Sequence, residues 1–157
     1  MALAGLSTLG VTFGYGVEAA GTPGTKPATF TQLTRINQIG AISLENQQID
    51  ASALEDLVTK NIAGRADTPG NVGVTINLTD DTKSEWETLI STYKNLTNGC
   101  QMWFEIIIPN MTESYFFIAQ PPQEIPSPEF GQNELLTVEI TLTIVDVKAF
   151  DAKVAFT

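Results

Sequence analysis

The chain contains no histidine and a single cysteine, Cys100, and these two scarcities remove much of the enzymatic repertoire. A Ser/His/Asp or Cys/His catalytic set needs an imidazole, so neither can be built within this chain. Zinc sites of the His/Cys type fall for the same reason. One cysteine makes no internal disulfide, so a reducing compartment is compatible, and Cys100 reads as a small buried apolar residue. Basic residues are also few: 8 Lys and Arg against 18 Asp and Glu, a net charge of −10. The cations are scattered and form no cluster, which argues against a nucleic-acid-binding surface. No run approaches the roughly 20 apolar residues of a membrane span, so insertion by this chain is not expected. The first residues carry no early positive charge and do not read as a signal peptide.

What the chain does have is apolar residues, 43% of the total, enough for a core without disulfide staples. At 157 residues it reads as one domain, residues 1–157. The most regular stretch is LLTVEITLTIVDV, Leu135–Val147. Leu136, Val138, Ile140, Leu142 and Ile144 alternate with Thr137, Glu139, Thr141 and Thr143, the period of a strand with one buried face. Its polar side is either the outside of an antiparallel sheet or the lining of a larger ring.

Other elements follow from periodicity. Residues 1–29 are rich in Gly, Thr, Ala and Pro and read as an N-terminal arm. Phe30–Leu44 reads as a first strand or hairpin, with its phase open because Ile36 and Ile39 fall on opposite faces. Residues 45–71 form a connection long enough to suggest function. Within it, Ser52 and Glu55 have capping-box spacing, and Leu54, Leu57, Val58 and Ile62 could stripe a short helix. That stripe packs either on its own core or on another subunit. Val72, Val74, Ile76 and Leu78 alternate with Gly73, Thr75, Asn77 and Thr79 as a half-buried strand. A helix is expected over 82–98, capped by Thr82 and Glu85, favoured by Asp80 and Asp81 at its positive end and stopped by Asn98-Gly99. Trp86, Leu89, Ile90, Tyr93 and Leu96 form its core-facing stripe. Gln101–Pro109 is a strand with Met102, Phe104, Ile106 and Ile108 on one face and Trp103, Glu105 and Ile107 on the other. A turn leads to the strand Tyr115–Gln120, and Pro121, Pro122, Pro126 and Pro128 impose an extended linker. Residues 148–157 are a terminal edge strand or arm.

No catalytic, metal or cofactor site emerges. Asp80, Asp81, Glu85 and Glu87 suit helix capping better than acid–base work. Asp50, Glu55 and Asp56 lack calcium-loop spacing. Gly14-Tyr15-Gly16 lacks the context of a nucleotide loop. Trp103, Tyr115, Phe116 and Phe117 form either a sugar-stacking platform or a core. The expected class is mainly β with one flanking α-helix, a sandwich or barrel with extensions, and no enzyme.

The run FTQLTRINQIGAISLENQQIDASALED, the helix around Glu85-Trp86-Glu87, the strand WFEIIIP, and AQPPQEIPSPEF leading into LLTVEITLTI resemble the major tail tube protein of long-tailed, non-contractile bacteriophages. The resemblance covers most of the chain and rests on the order of elements, without a short diagnostic motif. It implies a tail-tube fold whose sheets join, six subunits at a time, into a hexameric ring with a continuous inner β-barrel. Rings stack into a hollow tube in the virion tail, assembled in the host cytoplasm. Implied partners are further copies of the chain, a tape-measure protein, tail tip and tail terminator proteins, and DNA in transit without specific binding. On that reading Thr75, Asn77, Glu105, Thr137, Glu139, Thr141 and Thr143 line the lumen. Segment 45–71 is then an inter-ring loop, and Leu54, Leu57, Val58, Ile62, Arg65, Phe13, Tyr15 and Phe156 make contacts between subunits or rings. Two alternatives remain: the inner tube of a contractile tail or type VI-like secretion system, and a carbohydrate-binding β module.

Overall fold

A computed structural model of the chain describes residues 5, 9–67, 70–97 and 99–157. Its longest element is the strand that the alternation marks. β9 runs Thr137–Ala152, with Val138, Ile140, Leu142 and Ile144 buried and Glu139, Thr141 and Thr143 exposed. The alternation ends at Ile144. Beyond it the pairing slips, and Ala149 takes a left-handed φ of 58° where β9 continues along its neighbour.

Six more strands join it. β1 (Thr12–Val17), β2 (Thr31–Leu33), β3 (Ile36–Ile39), β6 (Asn71–Asn77), β7 (Met102–Ile107) and β8 (Glu113–Gln120) complete a seven-stranded sheet. Its order is β2-β1-β7-β8-β9-β6-β3, and every neighbouring pair is antiparallel. The two edge strands are successive in the chain. Only Thr34 and Arg35 separate β2 from β3. Three Cα steps span at most about 11 Å, whereas a flat sheet of seven strands is roughly 29 Å wide. The sheet must therefore curl until its edges meet at this corner, although no hydrogen-bond ladder closes it. Arg35 makes the corner with a left-handed φ of 56°.

That corner and a bulge resolve the phase of the Phe30–Leu44 segment. The register of β3 against β6 shifts between Ile36 and Gln38, so Ile36 and Ile39 both pack on the core. The corner is held from the side by α1 (Asp80–Lys94). The Glu85 carboxylate accepts the Thr34 N–H at 3.1 Å and the Thr34 hydroxyl at 2.8 Å. The helix begins earlier than expected because Thr79 is its N-cap. Thr82 stands at N3 and returns the bond to the Thr79 N–H. It ends at Lys94 with Asn95 as C-cap. Of the expected stop, Asn98 lies outside the described residues.

The main core lies on the inner side of the curl. Trp86, Leu89 and Ile90 of α1 are buried there with Phe13, Phe104 and Phe117, and Tyr93 and Leu96 pack at its margin. Phe104 stacks on Phe13 at 5.5 Å and on Phe117 at 5.4 Å between ring centres. Three expectations are corrected here. Residues 12–17 are not part of an arm: they form β1, a strand between β2 and β7. Phe13 and Tyr15 lie in this protomer's own core and are not surface contacts. Among its described residues, segment 45–71 holds no helix. It is a separate hairpin, β4 (Glu45–Asp50) paired with β5 (Asn61–Asp67). A helix of three turns at most is marginal in water without a surface to pack on, and this segment has none.

Candidate functional site

The outer side of the sheet divides into a sealed half and an open half. The cross-strand register traces one continuous face: Glu105 lies opposite Phe116, and Gln120 lies opposite Thr143. Over β1, β7 and β8 that face is apolar, with Trp103, Phe116 and Ile118 buried together with Phe30. The last residues of the chain cover it, packing Val154 and Phe156 onto the cluster. Two glycines of β1 make room. A Cβ on Gly14 would stand 2.4 Å from the Phe156 ring, and one on Gly16 would stand 3.0 Å from the Phe30 ring. Phe156, expected between subunits, is thus seated on its own protomer, where it also forms a parallel bridge to Phe30. Of the expected aromatic platform, Trp103, Phe116 and Phe117 are buried and only Tyr115 is partly exposed, so the four do not form one open surface.

Lys26 ties the cover down. Its Nζ donates to the Ala152 carbonyl at 2.6 Å, pairs with Asp151 at 3.5 Å and stands 4.1 Å above the Phe116 ring. Underneath lies Glu105, with 0% of its surface exposed. This corrects its place among the expected lumen residues: Glu105 shares the outer sheet face with the other six, but the C-terminal residues shut it from solvent. The Val154 N–H donates to its Oε2 at 3.0 Å, while Oε1 and the neighbouring Ser114 hydroxyl do not reach full hydrogen-bond geometry. Burial pushes the Glu105 carboxyl above its ordinary range. The Val154 amide, the Ser114 hydroxyl and the charges of Lys26 and Lys153 pull it partly back.

The open half lies over β9, β6 and β3. Here the structure brings together six of the seven expected residues. Thr75 is paired with Glu139, Asn77 with Thr137, and Thr143 with Asn71, while Thr141 stands opposite Gly73. The Asn37 amide donates to the Asn77 side-chain carbonyl, which extends the polar face to β3. Gly73, overlooked as a functional position, sets how the Glu139 carboxylate lies. A Cβ there would come within 2.6 Å of the Glu139 Oε1, so the absent side chain lets Glu139 lie flat across β6. A glycine at the centre of a clean strand pattern was the available signal. From Thr137 to Thr143 and across β6 the surface presents hydroxyls, amides and the Glu139 carboxylate; Lys148, farther along β9, lies at its margin, paired with Asp146 at 3.1 Å and 5.7 Å above the Trp103 ring.

The β4–β5 hairpin is the second exposed feature. All six residues of β4 are exposed. Its tip is organised by hydrogen bonds: Asp50 accepts the Ser52 N–H, Asp56 accepts the Ala53 N–H, and Ser52 Oγ accepts the Lys60 N–H. The Asp50 and Asp56 carboxyls are held below their ordinary range chiefly by those backbone donors. Leu54, Leu57, Val58 and Ile62 point into solvent, Leu54 and Leu57 completely, and Arg65 is exposed farther down β5. Among the described residues no group of three or more His, Cys, Asp or Glu is placed to hold a metal ion, and no helix is long and apolar enough to cross a membrane.

The fold has solved counterparts across nearly its whole length. A chain of the anti-feeding prophage baseplate, a 6-fold symmetrised structure, superposes with a TM-score of 0.58 at 14% identity, covering 95% of this chain and 97% of that one. A chain of the sheath/tube terminator of an extracellular contractile injection system in its extended state gives 0.60 at 15%, over 89% and 93%. A chain from the tail of an empty GTA particle, refined with C6 symmetry, gives 0.54 at 13%, over 91% and 95%. At these identities the likeness shows the fold. No family model and no curated protein matches the chain.

Proposed function

We propose that the chain is a structural subunit of a tail-like tube, six copies forming a ring and rings stacking around a hollow bore. The observation that carries this reading is the division of the outer sheet face. One half is sealed by the chain itself, and the other is a polar wall of hydroxyls, amides and Glu139, with Lys148 at its margin already paired with Asp146. Such a wall suits the bore of a conduit, because phosphates would be held by free cations and slide past hydroxyls. Six copies of −10 give a ring of −60, attenuated by salt. The whole-chain fold likeness to tail and injection assemblies of sixfold symmetry supports the same reading.

Two of the three neighbours come from an anti-feeding prophage and a contractile injection system. They widen the non-contractile resemblance to tail tubes at large, and the inner tube of a contractile machine fits as well. The tube would enclose a tape-measure protein and pass DNA or another cargo, bounded by tip and terminator proteins, with no catalytic step by this subunit. A terminator role is a second reading, favoured by the likeness to a sheath/tube terminator. Negative-stain electron microscopy of the purified protein across a concentration and salt series separates them. Hollow tubes of uniform bore are the expected result. Single rings that never stack would favour the terminator, and monomers under every condition would count against both.

A further inference from the structure

Glu105 is a titratable group in a place where an uncharged one would do the same structural work. It stands on β7 between Gly14 of β1 and Phe116 of β8, with none of its surface exposed. Its Oε2 holds the Val154 N–H, in the strap that residues 153–157 lay across the outer sheet face. A glutamine would accept that bond without burying a charge. The strap is pinned at both ends by groups of the loop before β2. Lys26 holds the Ala152 carbonyl, and the Phe30 carbonyl accepts the Thr157 N–H at 3.0 Å. Glu105 holds the middle.

Three polar groups are sealed in this face without a full hydrogen bond: Glu105 Oε1, the Ser114 hydroxyl and the Trp103 indole N–H. As an acid, Glu105 has a proton to give to the neighbouring Ser114 oxygen, and no charge is buried at this point. As a carboxylate it keeps a charge from water with one backbone donor, and lifting the strap hydrates it. The charges nearby offset part of that cost. Lys26 approaches from the loop, Lys153 from the strap, and Asp151 at the end of β9 is paired with Lys26. Farther off, Lys148 and Asp146 of β9 pair with each other beside Trp103. β1 and β8 set no charge against Glu105, only Gly14, Phe116 and Ser114. Burial outweighs the two lysines, so the carboxyl keeps its proton to a higher pH than an exposed one would.

We propose that the strap 153–157 is a proton-controlled latch, closed over Trp103, Phe116 and Ile118 while Glu105 is protonated and opening locally when the proton leaves. The sheet beneath stays folded, because β7 is paired along both edges, with β1 and β8. Opening bares an apolar face and the Trp103 indole, so the surface this protein presents depends on pH. The latch does not rest on the tube reading.

The test compares the full-length protein with Glu105→Gln by hydrogen exchange and mass spectrometry between about pH 5 and about pH 8, each rate divided by its intrinsic value. Asp151 is held below its ordinary range by the Ala152 amide and Lys26, so it stays charged throughout this window. In the native protein, protection of the 153–157 amides should fall about tenfold or more with rising pH, while the β7 amides keep theirs. In Glu105→Gln the strap should change less than about twofold. Acrylamide quenching should rise with pH in the native protein only, since Trp86 is wholly buried in the other core. Glu105→Met, which also cannot titrate, carries the same prediction if the glutamine variant does not fold. Constant strap protection in the native protein overturns the latch. An equal loss in the non-titrating variant overturns it too, and so does a loss shared by β7, which is unfolding of the whole domain.

Discussion

A carboxyl group sealed beneath the last residues of a chain must be neutralised or hydrogen-bonded, and Glu105 has one firm bond, from the Val154 amide. Its raised pKa has a direct consequence for stability. The folded state holds the proton more tightly than the unfolded one. Its contribution is fully present below the ordinary carboxyl value and is lost as pH rises through the higher folded value. Glu105→Gln removes the buried charge, so its thermal midpoint should exceed the native one at neutral pH, and the difference should vanish near pH 4; equal pH profiles for both proteins would refute the burial cost. Gly14→Ala tests the cover itself. The methyl has no room between the Phe156 ring and the Thr31 carbonyl, so a loss of about 1–3 kcal/mol and a changed Trp103 fluorescence are expected from denaturant titration. Glu105 also marks where residue-level reading stops. Alternation placed it on the correct face, but exposure depended on Val154, 49 residues away, which no local period encodes.

At the scale of elements, legibility followed burial. β9 and β6 were plain because each has one wet and one dry face. α1 was plain because Trp86, Leu89 and Ile90 form a stripe that is in fact the core. Trp86→Ala should cost about 3–5 kcal/mol, and Thr79→Ala about 0.5–2 kcal/mol through the lost cap, both read from equilibrium unfolding. The hairpin was illegible for the converse reason. Residues 45–50 and 61–66 leave both faces largely exposed, so they carry no alternation to read. Leu54, Leu57 and Val58 sit at helical spacing by coincidence in a turn. β1 was misread because Gly14 and Gly16 look like breakers. They are recesses for Phe156 and Phe30, while Phe13 and Tyr15 keep the strand period between them. Deleting residues 47–66 should leave a monomer with native melting behaviour that forms no tubes, since the hairpin contributes nothing to either core.

For the whole molecule, charge opposes the association that the apolar surfaces favour. Copies carrying −10 repel at long range, so assembly followed by light scattering should speed up between about 0.05 M and 0.5 M salt, and a slower rate in salt would point to ion pairs at the interface. Glu139→Lys should leave tubes intact and retard the passage of DNA. The curl of the sheet has a further consequence, in time. β1 ends at Val17 and its neighbour β7 begins at Met102, so residues 18–101 must be synthesised between them. At about 5–20 residues per second, one edge of β1 waits roughly 4–17 s for its partner on the ribosome. The β4–β5 hairpin needs only its own turn and closes within about 10 μs of emerging. The hairpin therefore stands finished while the sheet still lacks β7, β8 and β9, and the chain acquires its most exposed element before it acquires a core.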